Sequence, residues 1–209
     1  MTEKISHDSG DRRVRRTRAA IQEALTALIL EKGYDSVSVS DIIARADIGR
    51  STFYSHFTDK RGVFDDTISE LSGFLRAHSG GDGEIFAFSL PLFEHIVDQR
   101  PVIRALFGRG GHSVAMQTTT SALSAVIGDD LTARLHGRAI DPAQHALLVA
   151  FVVGAYVSVI THWLESKDRY TAVELDEAFR SFVIPGVEHV VAAPGALKVM
   201  PPRVRPVLL

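Results

Sequence analysis

The chain has 209 residues, 45% of them hydrophobic, a net charge of −2 and no cysteine. That composition supports a globular core, well away from the disordered regime, and it excludes disulfides and thiolate metal sites. Charge is unevenly placed: residues 1–64 carry 11 Lys/Arg against 9 Asp/Glu, and the remainder 12 against 16.

The N-terminus is charged and shows no apolar h-region, so no secretory signal is visible and a cytoplasmic location is expected. Residues 1–14 read as a flexible basic arm. Five arginines lie within seven residues there and just beyond: Arg12, Arg13, Arg15, Arg16 and Arg18. Such a run is either a solvated tail or an arm that neutralises phosphates and releases counterions.

From Arg15 to Lys32, Ile21, Ala24, Leu25, Leu28 and Ile29 follow the spacing of an amphipathic helix, closed by Gly33. Ser38 and Asp41 have the form of a capping box, so a short helix over 39–45 should bury Ile42, Ile43 and Ala46. Asp47 tolerates left-handed geometry and turns the chain. A third helix over 49–56 then carries Phe53 inward, with Ile48 and Phe57 at its two ends. A fourth, capped by Thr58 or Asp59, repeats Val63, Phe64, Ile68, Leu71 and Leu75.

After the glycine-rich loop 80–83, helices are predicted over about 84–98, 101–108, 112–136, 142–166 and 172–192. Pro101 and Pro142 suit first turns, and Thr171 with Glu174 forms a second capping box. Pro185 and Gly186 should kink the last helix. No segment shows convincing strand alternation, so the fold class is all-α, and the proline-rich tail 194–209 is expected to be irregular.

Two short helices across a tight turn are a helix-turn-helix, whose second helix enters the DNA major groove. Phe53 and Phe57, four residues apart, pin one face of that helix. Arg50, Ser51, Tyr54 and Ser55 then project away from it, with Thr52 at the boundary. Arg forks onto guanine, Ser and Thr reach base edges, and Tyr, His and Lys donors suit phosphates.

The stretch 15–64 resembles the tetracycline-repressor (TetR) family of bacterial transcriptional regulators. The matching residues are Arg18 through Ile21, Gly33, Tyr34, Ser38, Ile42, Ile48, Thr52, Phe53, Tyr54, His56, Phe57 and Lys60. The resemblance implies an N-terminal helix-turn-helix domain (15–62) and a helical effector-binding and dimerisation domain (63–193). It implies base contacts from Arg50, Ser51 and Thr52, and backbone contacts from Tyr54, His56, Lys60, Thr17, Ser38 and Ser40, with Arg15 in the basic run. Asp47 stands where the family's turn glycine is usual, and Gly49 where a Ser/Thr cap is usual. A homodimer on a palindromic double-stranded operator, released by a small-molecule effector, is the implied function.

In 142–166, the stretch from Ala146 to Leu164 has no charged residue. Its length would allow a membrane span, against which stand Ser158, Thr161 and His162. Ala146, Ala150, Gly154 and Ser158 recur every fourth residue as a smooth ridge for close helix approach, while Leu147, Phe151 and Ile160 are expected to face the core. Phe179 and Phe182, with Leu175, Ala178 and Val183, give the last helix a second apolar face. In the resembled family the last two helices pair across the dimer. Effector-pocket candidates are Phe86, Phe88, Phe93, Phe107, Met116, Tyr156 and Trp163, with His95, His112 and His162 as polar groups. No catalytic motif and no cofactor are expected: there is no phosphate-binding glycine loop, no G-x-S-x-G and no H-E-x-x-H. The alternatives are a histidine metal sensor or a helical ligand-binding protein without sequence-specific DNA binding.

Overall fold

The computed structural model describes residues 4–79, 84–107, 114–135, 140–166 and 170–192, the side chains of 4–11 and 107 excepted. The 80–83 loop, His112 and the 194–209 tail lie outside the described residues. Among those described there are nine α-helices, one 3-10 turn and no strand, as expected for the all-α class. The chain divides into two compact units: residues 1–74 with 96–122, and residues 75–95 with 123–209.

In the first unit, α1 (Lys4–Lys32) is followed by a 3-10 turn (Tyr34–Ser36), α2 (Val39–Arg45), α3 (Arg50–His56) and α4 (Lys60–His78). α1 begins at Lys4, so residues 4–14, expected as a flexible arm, are helical. Arginine is a good helix former and no proline interrupts the stretch, so the helix runs through the basic residues 12–18 and continues past Gly10. The predicted stripe is the buried one: Ile21, Ala24, Leu25, Leu28 and Ile29 join Tyr34, Ile42, Phe53, Phe57, Val63 and Phe64 in one core. Gly33 takes φ +77° and its N–H closes the last turn on Ile29 at 2.9 Å. Only glycine enters that region without strain.

α6 (Arg100–Phe107) packs on α1, and Ala115, at the start of α7 (Val114–Arg134), is buried in the same core. Ala105 and Leu106 pack against it too. Contacts therefore gather α6 and the first part of α7 with the N-terminal helices, where the sequence placed a boundary at residue 62.

The second unit contains most of α5 (Ser89–Asp98), the rest of α7, α8 (Pro142–Glu165) and α9 (Ala172–Ala192). α5 begins at Ser89 rather than about 84. Phe86 has φ +54°, and Ser89 N–H bonds Phe86 O at 2.8 Å, so the chain turns there instead of continuing a helix. Asp141 caps α8 by accepting from Ala143 and Gln144. Thr171 and Glu174 close the predicted capping box at α9 in both directions, at 3.2 and 2.8 Å. α9 runs through Pro185, which lies on the exposed side of the helix.

Five rings form the centre of this unit: Phe86, Phe88, Phe93, Tyr156 and Phe179, all fully buried. Tyr156 stacks on Phe179 with centroids 3.8 Å apart. Phe179, expected at a dimer face, is therefore core. Leu147 and Phe151, expected in the core, are 61% and 58% exposed, while Ile160 is buried as expected. A helix apolar all round gives periodicity no means of choosing its inner side. α8 is long and apolar enough to cross a membrane by length and composition, with 28% of its most apolar window buried.

Candidate nucleic-acid interface

A capping box and two ion pairs to α1 hold the first helix of the helix-turn-helix. Ser38 Oγ accepts from Asp41 N–H at 3.2 Å and Ser38 N–H donates to Asp41 Oδ2 at 2.8 Å, which together make the capping box that starts α2; the Ser38 hydroxyl also donates to Asp41 Oδ2 at 2.6 Å. Lys32 pairs with the same carboxylate at 2.7 Å. The Lys32 ammonium and the Ser38 donors hold Asp41 well below its ordinary value near 3.8. Arg45, from the last turn of α2, donates from one guanidinium nitrogen to both oxygens of Glu31 at 2.7 Å. α1 thus grips both ends of α2.

Asp47 makes the turn with φ +51°, the left-handed conformation its sequence predicts. Gly49 is the N-cap of α3 and offers no side-chain bond. A Cβ there would meet Thr52 Oγ1 at 3.6 Å and Ser51 Oγ at 3.9 Å, ordinary contact distances.

α3 itself has two faces. Phe53 is fully buried, and Phe57, just after the helix, is nearly so, with ring centroids 6.2 Å apart. Arg50, Ser51, Tyr54 and Ser55 are exposed; Thr52 and His56 are half-buried. Tyr54 meets Phe53 edge-on at 5.4 Å, and the Arg50 guanidinium lies 5.9 Å from the Tyr54 ring. One exposed helical face thus presents a guanidinium, a phenol and a serine hydroxyl together. Such donors can fork onto guanine edges and hold phosphate oxygens.

Around α3, Arg15 is exposed on α1 and Ser40 on α2. Thr17 donates to its own helix at Arg13 O, 3.0 Å away. Ser38 has its hydroxyl engaged with Asp41, and Lys60 donates to the Tyr34, Asp35 and Val37 carbonyls. Sequence reasoning missed the role of Arg18. It pairs with Asp66 of α4, stacks 4.6 Å above Phe57 and shares its carboxylate with Gln22. The signal was present, because Arg18 and Gln22 are four apart and so lie on one face of α1.

In the second unit, Phe86, Phe93 and Tyr156 are brought together in the ring cluster, and Trp163 is buried. Met116 and the Phe107 position belong to the first unit. His95 is half-buried on α5 and His162 exposed on α8. One oxygen each of Asp130 and Asp176 is buried without a hydrogen-bond partner among the described residues, and the Tyr156 hydroxyl is buried beside that of Ser89. Burial pushes the Tyr156 phenol far up, with the Asp176 and Asp130 charges adding to it. Burial likewise raises Asp130. Among the described residues no three His, Asp or Glu side chains come together as a metal-binding group.

The family model of bacterial regulatory proteins of the tetR family matches residues 21–67, and a model of a transcriptional regulator C-terminal region matches 83–184. The chain belongs to the TetR family. It is a DNA-binding regulator of transcription. YxbF, an uncharacterized HTH-type transcriptional regulator of Bacillus subtilis, is 41% identical over 69 residues, which is 32% of this chain. The match spans only 18% of that relative's length. Among solved structures, a TetR regulator from Streptococcus agalactiae superposes with a TM-score of 0.62 at 23% identity, covering 85% of this chain and 98% of that one. A TetR-family regulator from Syntrophomonas wolfei gives the same TM-score at 16% identity, covering 89% and 99%. A Thermus thermophilus TetR-family repressor, FadR, solved in complex with lauroyl-CoA, gives 0.52 at 18% identity, covering 88% and 97%. At these identities the structures establish the TetR fold.

Proposed function

We propose that this TetR-family regulator is a cytoplasmic repressor that binds a palindromic operator as a homodimer and leaves it when a small molecule occupies the second unit. The observation that carries the reading is the uncovered face of α3, with Arg50, Ser51 and Tyr54 exposed opposite the fully buried Phe53. In the complex, Arg50, Ser51 and Thr52 read bases; Tyr54 and His56 hold phosphates beside α3; Thr17, Ser40 and Arg15 add contacts from α1 and α2. Two copies would set their reading helices one duplex turn apart, roughly 34 Å.

The homodimer reading is supported by the outer face of α8 and α9. Ala146, Ala150, Gly154 and Ser158 are all exposed along one line, flanked by Leu147, Phe151 and, on α9, Phe182 at 78% exposure. Apolar surface of that extent on a soluble chain calls for cover. A second copy supplies it and accounts for an apolar α8 without a bilayer.

The effector reading is supported by the buried rings and by the buried polar groups of Ser89, Asp130, Tyr156 and Asp176. An apolar site with a few convergent polar groups is the usual make-up of a small-molecule site. The lauroyl-CoA bound by the Thermus FadR repressor supports a ligand inside this fold; its chemistry is not carried over. A ligand that favours one arrangement of the reading helices shifts the DNA equilibrium by its differential affinity alone.

Selection of sites from a random duplex pool tests the reading. An inverted repeat recovered at physiological salt is the expected result. Binding that heparin competes away as readily as any duplex would favour the rival, a helical ligand-binding protein whose basic segment meets any polyanion.

A further inference from the structure

Between residues 18 and 64 the sequence carries four arginines, Arg18, Arg45, Arg50 and Arg61. Three are committed to acids: Arg18 to Asp66, Arg45 to Glu31 and Arg61 to Asp65. Arg50 differs. Among the described residues its guanidinium meets no carboxylate; it lies 5.9 Å from the centroid of the Tyr54 ring, one turn along α3. That ring is itself held. It meets Phe53 edge-on at 5.4 Å, and Phe53 is fully buried. The surface beneath the guanidinium is thus anchored in the core of the first unit, while Tyr54 stays 49% exposed.

The two kinds of partner leave an arginine in different states. A carboxylate occupies N–H donors, as Glu31 does with Arg45. An aromatic face attracts the cation through its quadrupole and occupies none, so the five N–H groups of Arg50 stay available. Arg50 is also the first residue of α3, at the end of a recognition helix whose side chains meet base edges. Its neighbours there are less suited. Ser51 is short, Thr52 is half-buried, and Ser55 donates its hydroxyl to Thr52 O at 2.7 Å. In the major groove, guanine alone presents two adjacent acceptors, O6 and N7, which match the guanidinium fork; adenine sets a donor beside its N7.

We propose that the Tyr54 ring is a positioning platform for the Arg50 guanidinium, and that the pair reads one guanine in each operator half-site through O6 and N7. The inference rests on the DNA-binding reading of α3 and adds the base and the residue that chooses it. A long side chain loses rotamer freedom when it docks, and one already laid on a ring has less to lose. Hydroxyl and ring of Tyr54 then have separable tasks. The hydroxyl strengthens binding to every duplex, whereas the ring acts at one base pair.

A base analogue separates these tasks. In the selected operator, 7-deazaguanine at the contacted position removes N7 and leaves base pairing intact. With the full-length protein it is expected to weaken wild-type binding about fivefold or more and to leave Arg50→Ala unaffected. Tyr54→Phe keeps the ring, so every duplex should bind more weakly with the ratio of guanine to other bases unchanged. Tyr54→Leu removes the ring and should cut that ratio roughly two- to fivefold, the scale of a cation–π contact at an exposed site. Without DNA, ring-current shifts of the Arg50 side-chain protons, read by NMR, should be present in wild type and Tyr54→Phe and absent in Tyr54→Leu. An unchanged ratio in Tyr54→Leu, or no such shift in wild type, overturns the platform. An equal 7-deazaguanine penalty in wild type and Arg50→Ala overturns the base assignment. A wild type that selects no duplex at all overturns the DNA-binding reading and this inference with it, which a failure at one base does not.

Discussion

At the scale of single residues, Arg50 and Tyr54 make opposite demands on a binding curve. Arg50 is exposed on α3, and under the proposed base contact Arg50→Ala should cost about 1–3 kcal/mol with the selected operator and relax preference at one position. Tyr54 keeps its ring on Phe53 when its hydroxyl is removed. Tyr54→Phe should therefore weaken every duplex by a similar, smaller factor, with thermal stability unchanged. Fluorescence anisotropy against the operator and its single-base variants distinguishes the two patterns. Asp47 carries two handicaps at once, a left-handed backbone and a negative charge beside the reading helix. Asp47→Gly removes both. The expected outcome is a melting temperature equal or slightly higher, by up to about 1 kcal/mol of stability, and tighter DNA binding at low salt. Weaker binding by Asp47→Gly would mean that the carboxylate orders the turn in a way its φ does not reveal.

At the scale of elements, the caps are the testable parts. Thr171→Ala and Ser38→Ala each remove a reciprocal cap and should each cost about 1 kcal/mol in chemical denaturation. Asp41 gives the pH dependence. Its folded-state affinity for protons is lowered by Lys32 and Ser38, so its contribution is complete above the unfolded value near 3.8 and is lost as pH falls below it towards the folded value. Asp41→Asn should therefore flatten the acid limb of stability below about pH 4, where wild type continues to decline. How far the elements were legible follows their amphipathicity. α1, α2 and α3 bury one side only, so spacing alone marked Ile21, Leu25, Ile42 and Phe53 as core. α8 and α9 are apolar on two sides, and there the spacing was silent: Leu147 and Phe151 turned outward and Phe179 inward. The candidate interface was legible wherever a polar residue sat opposite a ring. It was illegible where the partner was backbone, as at Lys60, and at Arg18 the sequence marked only the shared helix face with Gln22, not the carboxylate 48 residues away. Nothing in local sequence marks such partners.

At the scale of the whole molecule, the exposed apolar face of α8 and α9 sets the expected assembly. Light scattering should return a dimer at micromolar concentration. The double substitution Phe151→Glu with Phe182→Glu places charge on that face without touching either core, since both rings are more than half exposed. It should give a folded monomer whose operator affinity collapses, because half-sites then bind one at a time and lose the gain of a linked second contact. A dimer that survives both charges would move the interface elsewhere.

The turn at Phe86 has a mechanical consequence of its own. A bulky residue with φ +54° is held there by two helices: Asp130 of α7 accepts its N–H at 3.2 Å, and Arg180 of α9 donates to its carbonyl at 3.3 Å while pairing with Glu84. Strained backbone of this kind persists only when its surroundings over-determine it. A buckle fastened from both sides joins α7 and α9 through one short turn. Loosening either strap would release the turn toward ordinary geometry and free the two helices to shift independently.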